Sequence, residues 1–266
     1  MSVSHPVMAL WNAPPANFVT RLGQTIDVGL SQAKEAGREI NIFFRDDDVS
    51  TPKDGFARLA SIFLRHHVPL CAAVVPAWLD ESSGIELKAL FADSPELCFW
   101  HQHGWRHVNH QQAGKKSEFG SDRSLAAKSA DIMKGQEIIQ RVFGERAGLF
   151  FTPPWNRVDE ETLETLSDHG YCAVSRSQNA KPLPPLSLPD VPVNVDLHTR
   201  KTPNAKDAAI EILHEIETGL ASGYLGIMLH HHRMNSVAFD FLDAILDQLT
   251  SRHSLCFVTL ADIILA

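Results

Sequence analysis

The chain has 266 residues, 44% of them hydrophobic and 21% charged, so it holds enough apolar material for one large core or two small ones, as soluble domains do. A formal net charge of −8 argues against nucleic acid as a main partner, because phosphate binding needs a basic face. No apolar run approaches the roughly 20 residues of a membrane span, and the start, MSVSHPVMALWNAPPANF, lacks a basic segment followed by an apolar one, so no membrane contact and a cytoplasmic location are expected.

Short β-prone runs alternate with longer stretches of helical periodicity, the pattern of βα units around a parallel sheet. INIFF (40–44) leads into RDDD and then a helix over Asp54 to His67. LCAAVV (70–75) and ELCFW (96–100) follow, the second running into HQHGWRH. A helix over 122–143 precedes LFF (149–151), which ends in TPPWN, and a helix over 159–169 precedes YCAVS (171–175). The prolines of SRSQNAKPLPPLSLPD (175–190) make it a loop rather than a linker, because the alternation resumes with VPVNVDL (191–197) and a helix over 206–221. YLGIML (224–229) then ends in three histidines, and a helix over 236–252 leads to LCFVTL (255–260). Seven or eight such units fit a closed or nearly closed barrel better than an open sheet. A single domain over 1–266 is expected, its core starting near residue 40 and an extra helix leading in. Cys71, Cys98, Cys172 and Cys256 sit in apolar runs with no CxxC pair, which predicts buried core thiols.

In such folds chemistry collects where strands end, and five of these strands end in acids, histidines or a proline turn. Asp46, Asp47 and Asp48 repel one another unless a cation, an arginine or a proton compensates. They are either a solvated turn capping the next helix or a pair in which one carboxylate binds a divalent metal and the other acts as general base. His103 and His107 are four apart, which on a helical turn puts both imidazoles on one face, able to share a metal; surface histidines in a polar loop are the alternative. With a carboxylate from another strand they make an arrangement that leaves positions open for water and substrate. His101 and His110 are bystanders or supports. Pro153 and Pro154 remove two donors, so the next backbone N–H is that of Trp155, aimed either at an oxyanion or simply within a stiff loop. His230 follows the apolar run directly and suits proton donation to a leaving group. Asp196 orients a catalytic group or bonds backbone.

Taken in this order, RDDDV, HGWRH, TPPW, VNVD and IMLH resemble the motifs of the polysaccharide deacetylase (NodB-homology) family, over about Ile40 to Ala266. The resemblance implies a distorted (β/α)7 barrel and a metal, zinc first, held by one Asp and two His. By that match Asp47 is the base, Asp48, His103 and His107 are the ligands, Trp155 offers its N–H, and His230 is the acid; a shift by one residue uses Asp46 and Asp47 instead. Arg45, Asp46, Trp105, Pro154 and Asp196 are expected to bind substrate or support these groups. Thr152 stands where the family often has an arginine, a place Arg45 or Arg157 could fill, and no tryptophan follows Asp196. The expected substrate is an acetylated carbohydrate. The alternatives are a small intracellular amide cleaved on the same scaffold and a non-catalytic sugar-binding relative.

Overall fold

The computed structural model describes residues 6–53, 55–253 and 255–265; Asp54, the expected start of the first core helix, lies outside them. In chain order the elements are α1 (Ala9–Asn12), α2 (Phe18–Glu35), β1 (Ile40–Val49), α3 (Phe56–His66), β2 (Leu70–Val74), α4 (Glu81–Leu90), β3 (Cys98–His103) and α5 (Leu125–Phe143). They continue with β4 (Ala147–Thr152), α6 (Glu160–Asp168), β5 (Ala173–Val174), β6 (Val195–Asp196), α7 (Ala205–Ser222), β7 (Tyr224–Leu229), α8 (Ser236–Thr250), β8 (Leu255–Phe257) and α9 (Leu260–Leu265). Every expected strand run contains a strand. β1 is longer than INIFF, however, so Asp46, Asp47 and Asp48 lie within the strand rather than beyond it. Helix α4 has no counterpart in the sequence reading, because Gly84 and Leu87 are its only buried residues and leave almost no apolar stripe.

The chain divides into two compact units. The first takes the chain up to Asp46, Lys53–Leu70 and Asn194–Val258. Its strands are parallel in the order β6-β7-β1-β8, with β1 between β7 and β8. Apolar residues at helical spacing along α2 (Phe18, Leu22, Ile26) and α7 (Ile212, Ile216, Leu220) are fully or almost fully buried. The Phe18 ring stacks on Phe241 at 4.7 Å, and Trp11 lies 5.0 Å from Phe241 while its Nε1–H donates to the Leu197 carbonyl at 2.8 Å.

The second unit takes Asp47–Pro52, Cys71–Val193 and the chain from Thr259. Its parallel strands follow the order β5-β4-β3-β2, and the last residues of β1 complete it, with the Val75 N–H donating to the Val49 carbonyl at 2.9 Å. Trp105, Phe119, Ile132, Phe151, Leu163 and Tyr171 lie in its apolar core. Ser124 caps α5 and Asp159 caps α6, each accepting a first-turn N–H. The fully buried Lys128 reaches Asp159 at 2.5 Å, so the cap also neutralises the buried ammonium. The proline-rich 175–190 segment is a loop, as expected, tied by bridges from Val174 to Asp190 and from Ser177 to Val193.

All four cysteines are free thiols, but only Cys71 and Cys98 are buried. Cys172 and Cys256 are exposed, correcting the expectation of four core thiols: Cys256 sits in a three-residue strand without a buried position, and Cys172 precedes the two-residue β5. Among the described residues no helix is long and apolar enough to cross a membrane.

Gly223 ends α7 with φ 84°, and a Cβ there would stand 2.7 Å from the Glu39 carbonyl oxygen. The left-handed backbone alone costs an L-residue about 1–2 kcal/mol. Gly223→Ala is therefore expected to lower the free energy of unfolding by at least that amount in urea titrations.

Candidate metal centre

The second unit brings Asp48, His103 and His107 together. Asp48 Oδ1 lies 3.1 Å from His103 Nε2 and 3.2 Å from His107 Nε2, and the three ligand atoms all fall within 4.8 Å of one another. Asp48 comes from the end of β1 and His103 from the end of β3. The helical turn expected for HGWRH does not exist: His107 lies in irregular chain with φ 57°, after Gly104 with φ 56°. The two imidazoles, 5.3 Å apart, are brought to one side by this left-handed loop rather than by helix periodicity.

The tautomer of His103 follows from its partner. The Thr152 carbonyl can only accept, so Nδ1 carries the proton it donates at 2.9 Å, and Nε2 faces Asp48. Burial lowers the pKa of His107 against the opposing pull of Asp48, which keeps this imidazole neutral and able to act as a ligand. Two imidazole nitrogens and a carboxylate oxygen at these separations are placed to share a cation. Donor atoms sharing a zinc-sized ion, with bonds of about 2.0–2.2 Å, stand roughly 3 Å or slightly more apart, and both Asp48 distances meet that condition. The residues present thus fit a divalent metal.

The surrounding chain is strained and closely held. Asp48, His107, Trp155 and Asn156 all have φ between 57° and 66°, a conformation rare for residues other than glycine. Trp155 follows Pro153 and Pro154 in a 3-10 turn, and its ring lies 4.4 Å from that of His107, with Trp78 5.7 Å from His107. Pro154 packs where a side chain on Gly104 would be: a Cβ there would come within 2.5 Å of the proline ring. Trp105 is buried in the core, and its carbonyl accepts the Ala77 N–H at 3.0 Å, so it anchors the loop from below. The loop has a further support that the sequence reading missed. The fully buried Glu118 accepts the N–H of Trp105 at 3.1 Å and that of Arg106 at 2.7 Å. Beyond His107 the chain makes an excursion closed at its neck, where the His110 N–H donates to the Ser117 carbonyl at 3.0 Å and Asn109 Oδ1 accepts the Ser117 N–H at 3.0 Å.

Other expected residues have these surroundings. Asp47 is buried in the second unit at 2% exposure. Thr152 Oγ1 pairs with His101 Nε2 at 2.9 Å, so His101 supports β4, whereas His110 is exposed. Arg157 donates to the Lys116 carbonyl at 3.1 Å. In the first unit Arg45 is fully buried with Nη2 3.2 Å from Met228 Sδ. Asp46 is occupied by His231: Oδ1 accepts its backbone N–H at 2.9 Å and Oδ2 meets its Nδ1 at 2.6 Å. His230 directly follows β7, is almost buried, and has its ring 5.8 Å from that of His232. Asp196 bonds backbone: Oδ1 accepts the N–H groups of His198 and Thr199, both at 2.9 Å, and Oδ2 accepts the Thr199 hydroxyl.

No family model matches the chain, and no curated protein matches it. Solved structures do. A candidate polysaccharide deacetylase from Mycobacterium smegmatis superposes with a TM-score of 0.63 at 14% identity, over 86% of this chain and 90% of the other. A family 4 acetyl xylan esterase from Clostridium thermocellum, solved with a cobalt ion, gives 0.58 at 16% identity over 85% and 90%. A CE4 family pseudoenzyme from Bacillus anthracis gives 0.52 at 13% identity over 81% and 62%. At these identities the likeness shows the fold: the chain has the polysaccharide deacetylase fold, a distorted (β/α)7 barrel. The expected N-terminal addition is present as two helices, α1 and α2.

His198, in the turn that Asp196 ties in the first unit, is fully enclosed, with neither ring nitrogen hydrogen-bonded. Burial lowers its pKa to about 3, helped by the charges of His232, Arg233 and His231. An unfolded histidine titrates near 6.5, so between these values the unfolded chain binds a proton that the folded one refuses. Stability from this group is complete above about pH 6.5 and falls as pH drops toward 3, by up to about 1.4 kcal/mol per unit. Urea unfolding of wild type and His198→Asn between pH 7 and 4.5 is expected to show a shallower decline in the variant; parallel curves would refute the assignment.

Proposed function

We propose that this chain is a metal-dependent hydrolase that removes an acetyl group from an N- or O-acetylated carbohydrate. The observation that carries this is the approach of Asp48 to both imidazoles, a donor set of one carboxylate and two histidines suited to zinc with positions left for water and substrate. The polysaccharide deacetylase fold and the match of HGWRH, TPPW and IMLH to family motifs support the same activity. Asp48 is preferred to Asp47 as ligand because both Asp46 oxygens are engaged by His231, which argues against shifting the pair by one residue.

In this mechanism Asp48, His103 and His107 hold the ion, which when bound supplies Lewis-acid polarisation of the acyl oxygen and lowers the pKa of water. Asp47 takes the proton from the attacking water at its carboxylate as the new carbon–oxygen bond forms. The Trp155 N–H donates to the developing oxyanion, fixed in direction by the two prolines before it. His230 gives a proton to the departing nitrogen or oxygen as the acyl bond breaks, leaving acetate and an amine or alcohol. Trp105 supports the chain around His103 and His107, Pro154 holds the Trp155 turn against Gly104, and Arg45 and Asp46 act as supports from β1.

A second reading, cleavage of a small non-carbohydrate amide, draws on Thr152, whose hydroxyl pairs with His101 where the family often has an arginine, and on Asp196, which is committed to backbone. Acetate release from N-acetylglucosamine oligomers and acetylated xylan, compared with turnover of a panel of other amides, distinguishes the two. Sugar binding with no hydrolysis would identify a non-catalytic relative.

Wild type should carry one equivalent of metal by elemental analysis and lose its acetate release to a chelator. The double variant His103→Ala, His107→Ala should lose the metal; retention of a full equivalent would overturn the ligand assignment. His230→Ala should keep the metal and slow kcat by ~10²- to 10⁴-fold, the usual cost of losing a general acid.

A further inference from the structure

We infer that Glu118 is a positioning residue of this centre: its buried carboxylate sets the loop that carries His107 relative to His103. The inference rests on the metal-centre reading above. Only Gly104, Trp105 and Arg106 separate the two histidines, and the two Glu118 oxygens take two of the three intervening N–H groups, Trp105 on Oε2 and Arg106 on Oε1. A Cβ on Gly104 would fall against Glu118 Oε2, so the carboxylate lies directly beneath the turn.

Glu118 is itself fixed from both sides. The Ser117 hydroxyl donates to the Arg157 carbonyl at 3.1 Å, and the Phe119 carbonyl accepts the Asp159 N–H at 2.9 Å, while the Phe119 side chain is fully buried in the core. Its own carbonyl accepts from Arg123 Nη1 at 3.3 Å. The segment bearing Glu118 is therefore anchored to the chain just after Trp155, and one strut serves both the histidine loop and the Trp155 turn.

A carboxylate is suited to this task because it presents two acceptors and no donor. Glutamine offers one acceptor and turns an N–H₂ toward a backbone N–H, while aspartate is one methylene short of reaching both amides. Partners of this kind typically contribute 10- to 100-fold to metal affinity.

Cobalt(II) titration of the full chain, followed by its visible absorption, tests the inference in Glu118→Gln and Glu118→Asp. Leu163→Ala, a cavity in the same core, serves as a control for general destabilisation. Both Glu118 variants should bind cobalt at least 10-fold more weakly with an altered spectrum. Leu163→Ala should keep wild-type affinity despite a lower Tm. Wild-type affinity and spectrum in Glu118→Gln would overturn the proposal, as would an affinity loss in Leu163→Ala matching its loss of Tm. If neither Glu118 variant folds, hydrogen exchange on metal-free wild type decides: the Trp105 and Arg106 amides should be protected well beyond those of residues 113–116, and equal exchange would refute the role. Failure of wild type to bind metal would instead remove the metal-centre reading, which separates the two outcomes.

Discussion

Three electron-rich atoms, Asp48 Oδ1 and the Nε2 atoms of His103 and His107, face one another at close range, and much of the second unit is shaped so that they can. Left to themselves a carboxylate and two imidazoles would separate and hydrate. They are held by backbone that no isolated peptide would favour, since Asp48, His107 and Trp155 are all left-handed. Each such residue costs about 1–2 kcal/mol, and the cost is tolerated only where the surroundings over-determine the conformation. Those surroundings are identifiable: the Thr152 carbonyl on His103, the Trp105 ring in the core, the Pro154 ring against Gly104 and the Glu118 carboxylate under the turn.

Neighbouring aspartates of one strand have separate occupations for the same geometric reason. In a regular strand Asp46 and Asp48 would face the same way. Asp48 departs from regular strand backbone with its left-handed φ and approaches the two imidazoles, while Asp46 is engaged by the backbone and ring of His231. Asp196 has a third occupation, tying the turn before His198 through two backbone amides. Three carboxylates that look alike in a string of letters thus have different partners: a histidine backbone and ring for Asp46, two imidazoles for Asp48, and the His198 and Thr199 amides for Asp196.

Strands were legible because continuous apolar runs such as YLGIML are buried from the second residue on, and helices because Ile212, Ile216 and Leu220 recur at the helical interval. What escaped was structure without an apolar signature. Helix α4 buries only Gly84 and Leu87, and VPVNVDL condenses to a two-residue strand because the Val191 and Val193 amides donate instead to the Val174 and Arg176 carbonyls. The histidine pair was visible as a pair, but the helical explanation for it was wrong: spacing of four reports proximity on a helix and equally permits a tight left-handed loop. Glu118 was invisible for a different reason. GKKSEFG reads as a solvated polar run, and a buried acid whose partners are backbone amides leaves no residue-type pattern to find.

The excursion between Asn109 and Ser117 is stapled at its neck, and its tip, Ala113 to Lys116, is exposed. Glu118 grips the chain on the His107 side of that neck, while on the other side the Lys116 carbonyl accepts from Arg157 and the Lys116 ammonium lies 5.9 Å from the Trp155 ring. The exposed excursion and the buried turn are therefore two ends of one continuous piece of chain, and a change at Lys116 is felt at the Trp155 ring that packs on His107.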